Sequence, residues 1–183
     1  MNFVDILFLL LLLGGLALGF FQGTIKLLVA IIAFYVGILL ASLYFTTIGL
    51  TFKQRFHSSL EVGQITAFAV ILLVAFLLLT VAGLYTFRYA RLPASLDFID
   101  RMAGTVLGLV LAGLFLGMLG VILKLLFYGN IEAAGLPIIA AFQSSVRSSF
   151  LVLFFSNQIL PLIFVTLQPI LPRDAADIIF KIR

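Results

Sequence analysis

Two charges stand inside long apolar runs of this sequence, and they are the side chains best placed to carry chemistry there. Asp5 lies near the start of the first run, and Lys124 lies near the end of the run that closes at residue 128. Charges within apolar segments are costly and often functional. The simpler interpretation is that Asp5 caps a helix and that Lys124 extends to a polar surface. The alternative is an ion pair, or a polar solute path that both side chains line.

A second candidate is the charged cluster of Asp97, Asp100 and Arg101, which directly precedes Gly104 and Gly108. Either aspartate can cap a helix that begins here, because a carboxylate complements the N-terminal end of the helix dipole. One cap needs one carboxylate, so two carboxylates and an arginine exceed what capping requires. We therefore predict that this cluster is a functional element.

The sequence contains no constellation of catalytic side chains. Its single histidine, His57, follows Lys53 and Arg55 and lacks a nearby nucleophile and carboxylate pair. The absence of Cys excludes disulfides, thiol redox chemistry and Cys-ligated metal. We therefore expect a non-enzymatic protein with no catalytic residue, cofactor or metal site. The net charge of +4 is spread singly along the chain, so we expect no nucleic-acid partner.

The composition is that of a protein whose solvent is lipid. Hydrophobic residues make up 64% of the 183 residues and charged residues 10%, against about 25% charged in soluble domains. Because a bilayer-spanning helix needs about 20 apolar residues, the sequence predicts an all-α membrane protein. We expect one transmembrane domain, residues 1–128, with four helices in a bundle at residues 3–18, 25–46, 62–87 and 100–128. The first helix is expected to be retained, since no basic residue precedes it as in a secretory signal.

The remaining residues, 129–183, form a predicted C-terminal amphipathic segment. In residues 138–155, apolar and polar side chains recur at helical spacing on opposite sides, which suits a helix in the membrane interface. The polar residues 156–158 and Pro161 are expected to interrupt the apolar run that follows. The alternative is a fifth span over residues 150–171.

Small residues recur at every fourth position in three of the predicted helices. The rows are Gly15, Gly19 and Gly23; Ala33, Gly37 and Ala41; and Gly104, Gly108 and Ala112. In lipid, small residues let helix backbones approach closely, so these rows are expected to pack the bundle. A second row on the fourth helix, Gly113, Gly117 and Gly120, faces the other way. Its neighbour is either another helix of the chain or a second subunit, which makes a homo-oligomer through the fourth helix a candidate.

These elements together resemble the CvpA family, the colicin V production proteins of bacteria. The resemblance lies in an Asp near the N-terminus, a Gly-Phe-x-x-Gly turn after the first helix, and a longer motif, Leu96-Asp97-x-x-Asp100-Arg101-x-x-Gly104-x-x-x-Gly108. Leu-Pro pairs at residues 136–137 and 171–172 extend it over nearly the whole chain. The family often has basic residues inside the first turn, where this chain has Phe21 and Gln22. The resemblance implies a small multi-pass protein of the inner membrane, tied to toxin production or export and to envelope physiology.

Two functional hypotheses follow. The first is an oligomeric scaffold or accessory subunit, with the lipid bilayer around it and an export or envelope protein as partner. The alternative is a small oligomeric transporter or channel with Asp5 and Lys124 lining a polar path. For four spans, the positive-inside rule favours one side as the cytoplasmic one. That side carries Lys26, Arg88, Arg91 and Arg101.

Overall fold

The computed structural model describes residues 2–56, 59–89, 97–128 and 137–170, together with 172, 178 and 179. Within this part of the chain all regular structure is α-helical. The helices are α1 (Phe3–Gln22), α2 (Thr24–Phe56), α3 (Leu60–Thr86), α4 (Asp97–Tyr128), α5 (Pro137–Arg147) and α6 (Phe150–Leu167). The all-α prediction is therefore confirmed. His57, Leu136, Leu171 and most of the tail after Pro172 lie outside the described residues.

The helix boundaries differ from the predicted ones mainly at the C-terminal ends of α1 and α2. Helix α1 continues to Gln22 because a single residue, Gly23 with φ of 76°, makes the whole turn into α2. Helix α2 continues to Phe56 rather than ending at residue 46. Gly49 does not break it, since Gly49 packs against Gln64 of α3, where an added Cβ would lie 2.8 Å from the Gln64 Cα.

Five of the helices are long and apolar enough to cross a membrane: α1, α2, α3, α4 and α6. The prediction of one amphipathic helix over residues 138–155 is wrong, because the chain forms two helices that meet at Ser148 and Ser149. The Ser149 Oγ accepts a hydrogen bond from the Val152 N–H at 3.1 Å and so begins a new helix. The predicted interruption at Pro161 is also wrong, since Pro161 lies inside α6, as membrane helices tolerate.

The contacts group the chain into two compact units, residues 12–112 and residues 1–11 with 113–183. In the first unit, α2 and α3 pack antiparallel along their length. Val29 meets Gly83, and Gly37 meets Leu72. Edge-to-face pairs fill the space between these helices: Phe34 with Phe76 at 6.0 Å and Phe45 with Phe68 at 6.4 Å between ring centroids.

The second unit contains the start of α1, the end of α4, and helices α5 and α6. Phe8 and Phe155 form its aromatic core, with ring centroids 6.1 Å apart. Helix α5 closes the C-terminal end of α4, where backbone carbonyls lack helical partners. The Phe127 carbonyl accepts a bond from the Gln143 Nε2 and another from the Arg147 Nε, each at 3.0 Å.

Candidate functional site

The Asp5 carboxylate joins the first turns of two helices. Within α1, its Oδ2 accepts a hydrogen bond from the Asn2 backbone N–H at 3.1 Å. Its Oδ1 accepts from the Ser149 hydroxyl at 2.6 Å and from the Leu151 backbone N–H at 3.1 Å, at the start of α6. Asp5 is 6% exposed and Ser149 is fully buried. One buried carboxylate therefore satisfies donors of α1 and α6 together, and we name Asp5, Ser149 and Leu151 the Asp5 tie.

Helix N-termini explain why a charge is stable at this place. The first backbone N–H groups of a helix lack helical partners and carry a partial positive charge. Ser149 connects the Asp5 carboxylate to the start of α6, because its hydroxyl donates to Asp5 and accepts from the Val152 N–H. Around this core, the Asn2 side-chain amide donates to the Ser148 hydroxyl at 2.7 Å. The predicted capping role of Asp5 is thus present, and it extends to α6, the helix that matches the alternative of a fifth span over residues 150–171.

The alternative of an ion pair between Asp5 and Lys124 is wrong for the part of the chain that the structure describes. The Lys124 ammonium donates to the Asn157 side-chain carbonyl of α6 at 3.3 Å. The Asp5 oxygens are taken by three donors from two helix starts.

A second carboxylate acts in the same way in the other compact unit. The Asp100 Oδ1 accepts from the Thr24 backbone N–H at 2.8 Å, and the Thr24 hydroxyl donates to the Asp100 carbonyl at 3.1 Å. Thr24 is the first residue of α2. The carboxylate also lies directly against Gly23, in the space that a Cβ would occupy. Asp100 lies in the first turn of α4 and bonds the first residue of α2, and we name Asp100, Thr24 and Gly23 the Asp100 tie.

The other two members of the predicted cluster form a separate pair. Arg101 and Asp97 make an ion pair of 3.0 Å, with side chains 48% and 62% exposed. The Arg101 guanidinium also lies over the Phe20 ring, 5.6 Å from its centroid. The structure therefore divides the cluster into a helix-to-helix contact made by Asp100 and a surface pair made by its neighbours.

The glycine rows of α1 and α4 face each other at very short range. A Cβ added at Gly19 would lie against the Gly104 carbonyl oxygen and 3.0 Å from the Gly108 Cα. A Cβ at Gly104 would in turn lie 2.5 Å from the Gly19 carbonyl oxygen. Gly15 faces the Ala112 side chain and the Gly108 carbonyl oxygen. Backbone touches backbone at Gly19, Gly104 and Gly108, so a side chain at any of these three positions would not fit.

The second glycine row of α4 faces α6 of the same chain. A Cβ at Gly117 would lie 2.5 Å from the Ile159 Cγ2, and one at Gly120 would lie 3.2 Å from the Val152 carbonyl oxygen. An internal neighbour thus occupies this face, which was one of the two predicted options. A homo-oligomer through these glycines would have to displace α6.

Sequence reasoning missed the two partners of the aspartates, Thr24 and Ser149. A signal for each was present, because Thr24 follows a turn glycine and Ser149 precedes an apolar run, as N-caps do. The sequence does not show which carboxylate such a cap would meet. Within the described residues, no group of three His, Asp or Glu side chains lies close enough to hold a metal ion.

The comparison with protein families identifies the chain. The family model described as Colicin V production protein matches residues 4–159. This chain belongs to that family. The matched range includes the Asp5 tie, the Asp100 tie and both glycine rows of α4. The comparisons found no match among curated proteins and none among solved structures. Family membership and five apolar helices together make this a multi-pass integral membrane protein of the colicin V production family.

Proposed function

We propose that the protein is a non-enzymatic scaffold or accessory subunit for toxin production or export in the bacterial inner membrane. One observation carries the proposal. Asp5 and Asp100, two of the carboxylates that match the family pattern, each bond the start of another helix. Polar groups used in this way build a defined helical framework. Both Asp5 oxygens and the Asp100 Oδ1 accept hydrogen bonds at helix starts.

Close packing of glycines supports the same function. In lipid, helices gain no hydrophobic drive toward one another, so van der Waals contact between backbones is what holds them. The row of Gly15, Gly19 and Gly23 against Gly104 and Gly108 supplies such contact. We propose that this packing and the Asp100 tie fix one arrangement of α1, α2 and α4, on which a partner protein can assemble.

The Asp5 tie also supports five crossings. It joins the N-terminal ends of α1 and α6, so both helices begin on the same side of the membrane. Four crossings by α1 to α4 return the chain to the side where it began, and a fifth crossing by α6 carries the C-terminus across. The C-terminal end of α6 then lies on the same side as Lys26, Arg88 and Arg101, which the positive-inside rule makes cytoplasmic.

Labelling of single cysteines tests this topology directly, because the chain contains no Cys of its own. Gln54→Cys at the end of α2 should react with a membrane-impermeant maleimide added to the periplasmic side. Thr86→Cys at the end of α3 and Gln168→Cys after α6 should react only when the membrane is opened. Reaction of Gln168→Cys from the periplasm would contradict the fifth span.

The alternative function is a small oligomeric transporter, and the hydrogen bond between Lys124 and Asn157 is the feature that supports it. These two polar side chains lie in candidate spans, α4 and α6. If they line a path, Lys124→Met should abolish toxin production while the protein stays folded and abundant. A scaffold predicts toxin production close to wild type for this variant.

The decisive experiment is complementation of a toxin-producing strain that lacks the gene, combined with crosslinking and mass measurement in native membranes. A scaffold predicts a discrete complex that contains a second protein, and wild-type function for Lys124→Met at equal abundance. A complex that contains only this chain, together with solute flux by the purified protein in vesicles, would favour the transporter.

A further inference from the structure

We infer that Lys26 and Arg88, at one end of the α2–α3 pair, bind the phosphate of an anionic phospholipid, with Tyr85 and Tyr89 holding the arginine. This inference goes beyond the scaffold proposal and does not depend on it, since it concerns a lipid site on the surface of one compact unit. We name these four residues the basic aromatic end.

The antiparallel register of α2 and α3 brings the two basic residues to the same end. Gly49 meets Gln64, Gly37 meets Leu72, and Val29 meets Gly83, so each step toward the start of α2 runs toward the end of α3. Lys26 lies one turn before Val29, and Arg88 follows the last turn of α3. Both side chains are exposed.

The Arg88 side chain is held by two aromatic rings. Its guanidinium carbon lies 4.4 Å from the centroid of the Tyr89 ring and 4.9 Å from that of Tyr85. Ring stacking engages the flat face of a guanidinium, whereas its N–H donors point outward in the plane. The two ring contacts restrict the Arg88 side chain, and a guanidinium can bind a phosphate through two hydrogen bonds.

Lys26 and Arg88 make no ion pair with a carboxylate of the described residues. Asp97 is paired with Arg101, one helical turn away. The Asp100 carboxylate accepts from the Thr24 N–H, two residues before Lys26, and keeps its negative charge. The two basic side chains are therefore open to a phosphate.

The surroundings favour a lipid over a soluble phosphate. Tyr85 and Tyr89 are 68% and 80% exposed, and tyrosine collects at the depth of lipid headgroups. Next to them, exposed apolar side chains continue down α2 and α3 at Leu28 and Val81. A phospholipid satisfies both parts of this surface, with its phosphate on the basic residues and an acyl chain along the apolar ones.

The test uses the purified full-length protein in a neutral detergent. Native mass spectrometry would measure retention of dioleoyl phosphatidylglycerol against dioleoyl phosphatidylcholine. We expect preferential retention of the phosphatidylglycerol, and a loss of about five-fold in Arg88→Ala and in Lys26→Ala, as for removal of one basic residue from an anionic surface. Arg55→Ala is the matched control, since it removes one exposed positive charge from the opposite end of α2, and it should retain the lipid.

The variants also distinguish the arginine's ring contacts from its charge. Tyr89→Leu should weaken retention, whereas Tyr89→Phe keeps the ring and should behave as wild type. An equal loss in Arg55→Ala and Arg88→Ala would overturn the site, because net charge alone would then explain binding. Displacement of the lipid by millimolar glycerol 3-phosphate would also overturn it in favour of a soluble phosphate. Should Arg88→Ala fail to fold, the two tyrosine variants decide the outcome.

Discussion

The Asp5 tie and the Asp100 tie use one chemistry in two environments. Each aspartate lies in the first turn of its own helix and bonds the first turn of a different helix. Asp5 is buried and takes three donors, one of them the fully buried Ser149 hydroxyl. Asp100 is half-buried, and its carboxylate packs directly against Gly23, which makes the turn between α1 and α2.

The difference separates two ways of fixing a helix end in lipid. At Asp5 the side chain makes the contact. Its carboxylate accepts hydrogen bonds from groups at the start of α6 that have no partner within that helix. At Asp100 the contact depends equally on the backbone of Gly23. That residue must take a positive φ and must lack a Cβ for the carboxylate to reach Thr24. Side-chain changes should therefore matter most at Asp5, and backbone changes should matter most at Gly23.

The largest effect is expected for Asp5→Ala. It leaves the Ser149 hydroxyl and the Leu151 N–H without their acceptor inside the unit, at a cost of about 2–4 kcal/mol. The measurement is the free energy of unfolding in mixed detergent micelles, together with protein abundance in membranes. Asp5→Asn keeps one acceptor oxygen and should lose less. Equal stability of Asp5→Ala and wild type would contradict the Asp5 tie.

The next effect is expected for Gly23→Ala. A residue with a Cβ pays about 1–2 kcal/mol for the left-handed conformation, and here that Cβ would also push the Asp100 carboxylate away from Thr24. We expect a total loss of about 2 kcal/mol in the same unfolding assay. Gly14→Ala is the control, since a Cβ at Gly14 meets nothing within 4 Å, and there alanine should stabilise the helix by about 0.5–1 kcal/mol.

A smaller effect separates two substitutions of Asp100. Asp100→Asn keeps an oxygen that can accept from Thr24 and should cost less than about 0.5 kcal/mol, because Asn caps helices nearly as well as Asp. Asp100→Ser has a shorter side chain and should lose the contact with α2, at about 1 kcal/mol. If both variants matched wild type, the contact between Asp100 and Thr24 would not contribute to stability.

The smallest effect is expected for the exposed pair of Asp97 and Arg101. Because both side chains are about half exposed, Asp97→Asn or Arg101→Lys should change stability by less than about 0.5 kcal/mol. Toxin production at equal protein abundance is the second measurement. Loss of toxin production with unchanged stability would give this pair the functional role that the sequence predicted for the cluster. A stability loss as large as that of Gly23→Ala would instead give it a structural role.

Much of the architecture could be predicted from residue patterns. The apolar runs gave the helices α1 to α4, and a turn was recognisable within residues 19–23, where the structure uses Gly23 alone because glycine admits a positive φ. The second row of glycines on α4 indicated a close neighbour. The C-terminal region was predicted less well. Its polar residues 156–158 and Pro161 suggested an interruption, whereas tertiary contacts of Val152, Phe155 and Ile163, all buried, keep α6 continuous.

The sequence by itself therefore determined that the protein lies in lipid and that its secondary structure is helical. Runs of apolar residues can be satisfied only in lipid, and in lipid the backbone must form helices. What only the tertiary structure decided is which polar groups meet. Asp5 lies 144 positions from Ser149, and Asp100 lies 76 positions from Thr24. A capping signal predicts that an aspartate accepts hydrogen bonds at a helix start. Which donors it accepts from is decided by the packing of helices that are distant in the sequence.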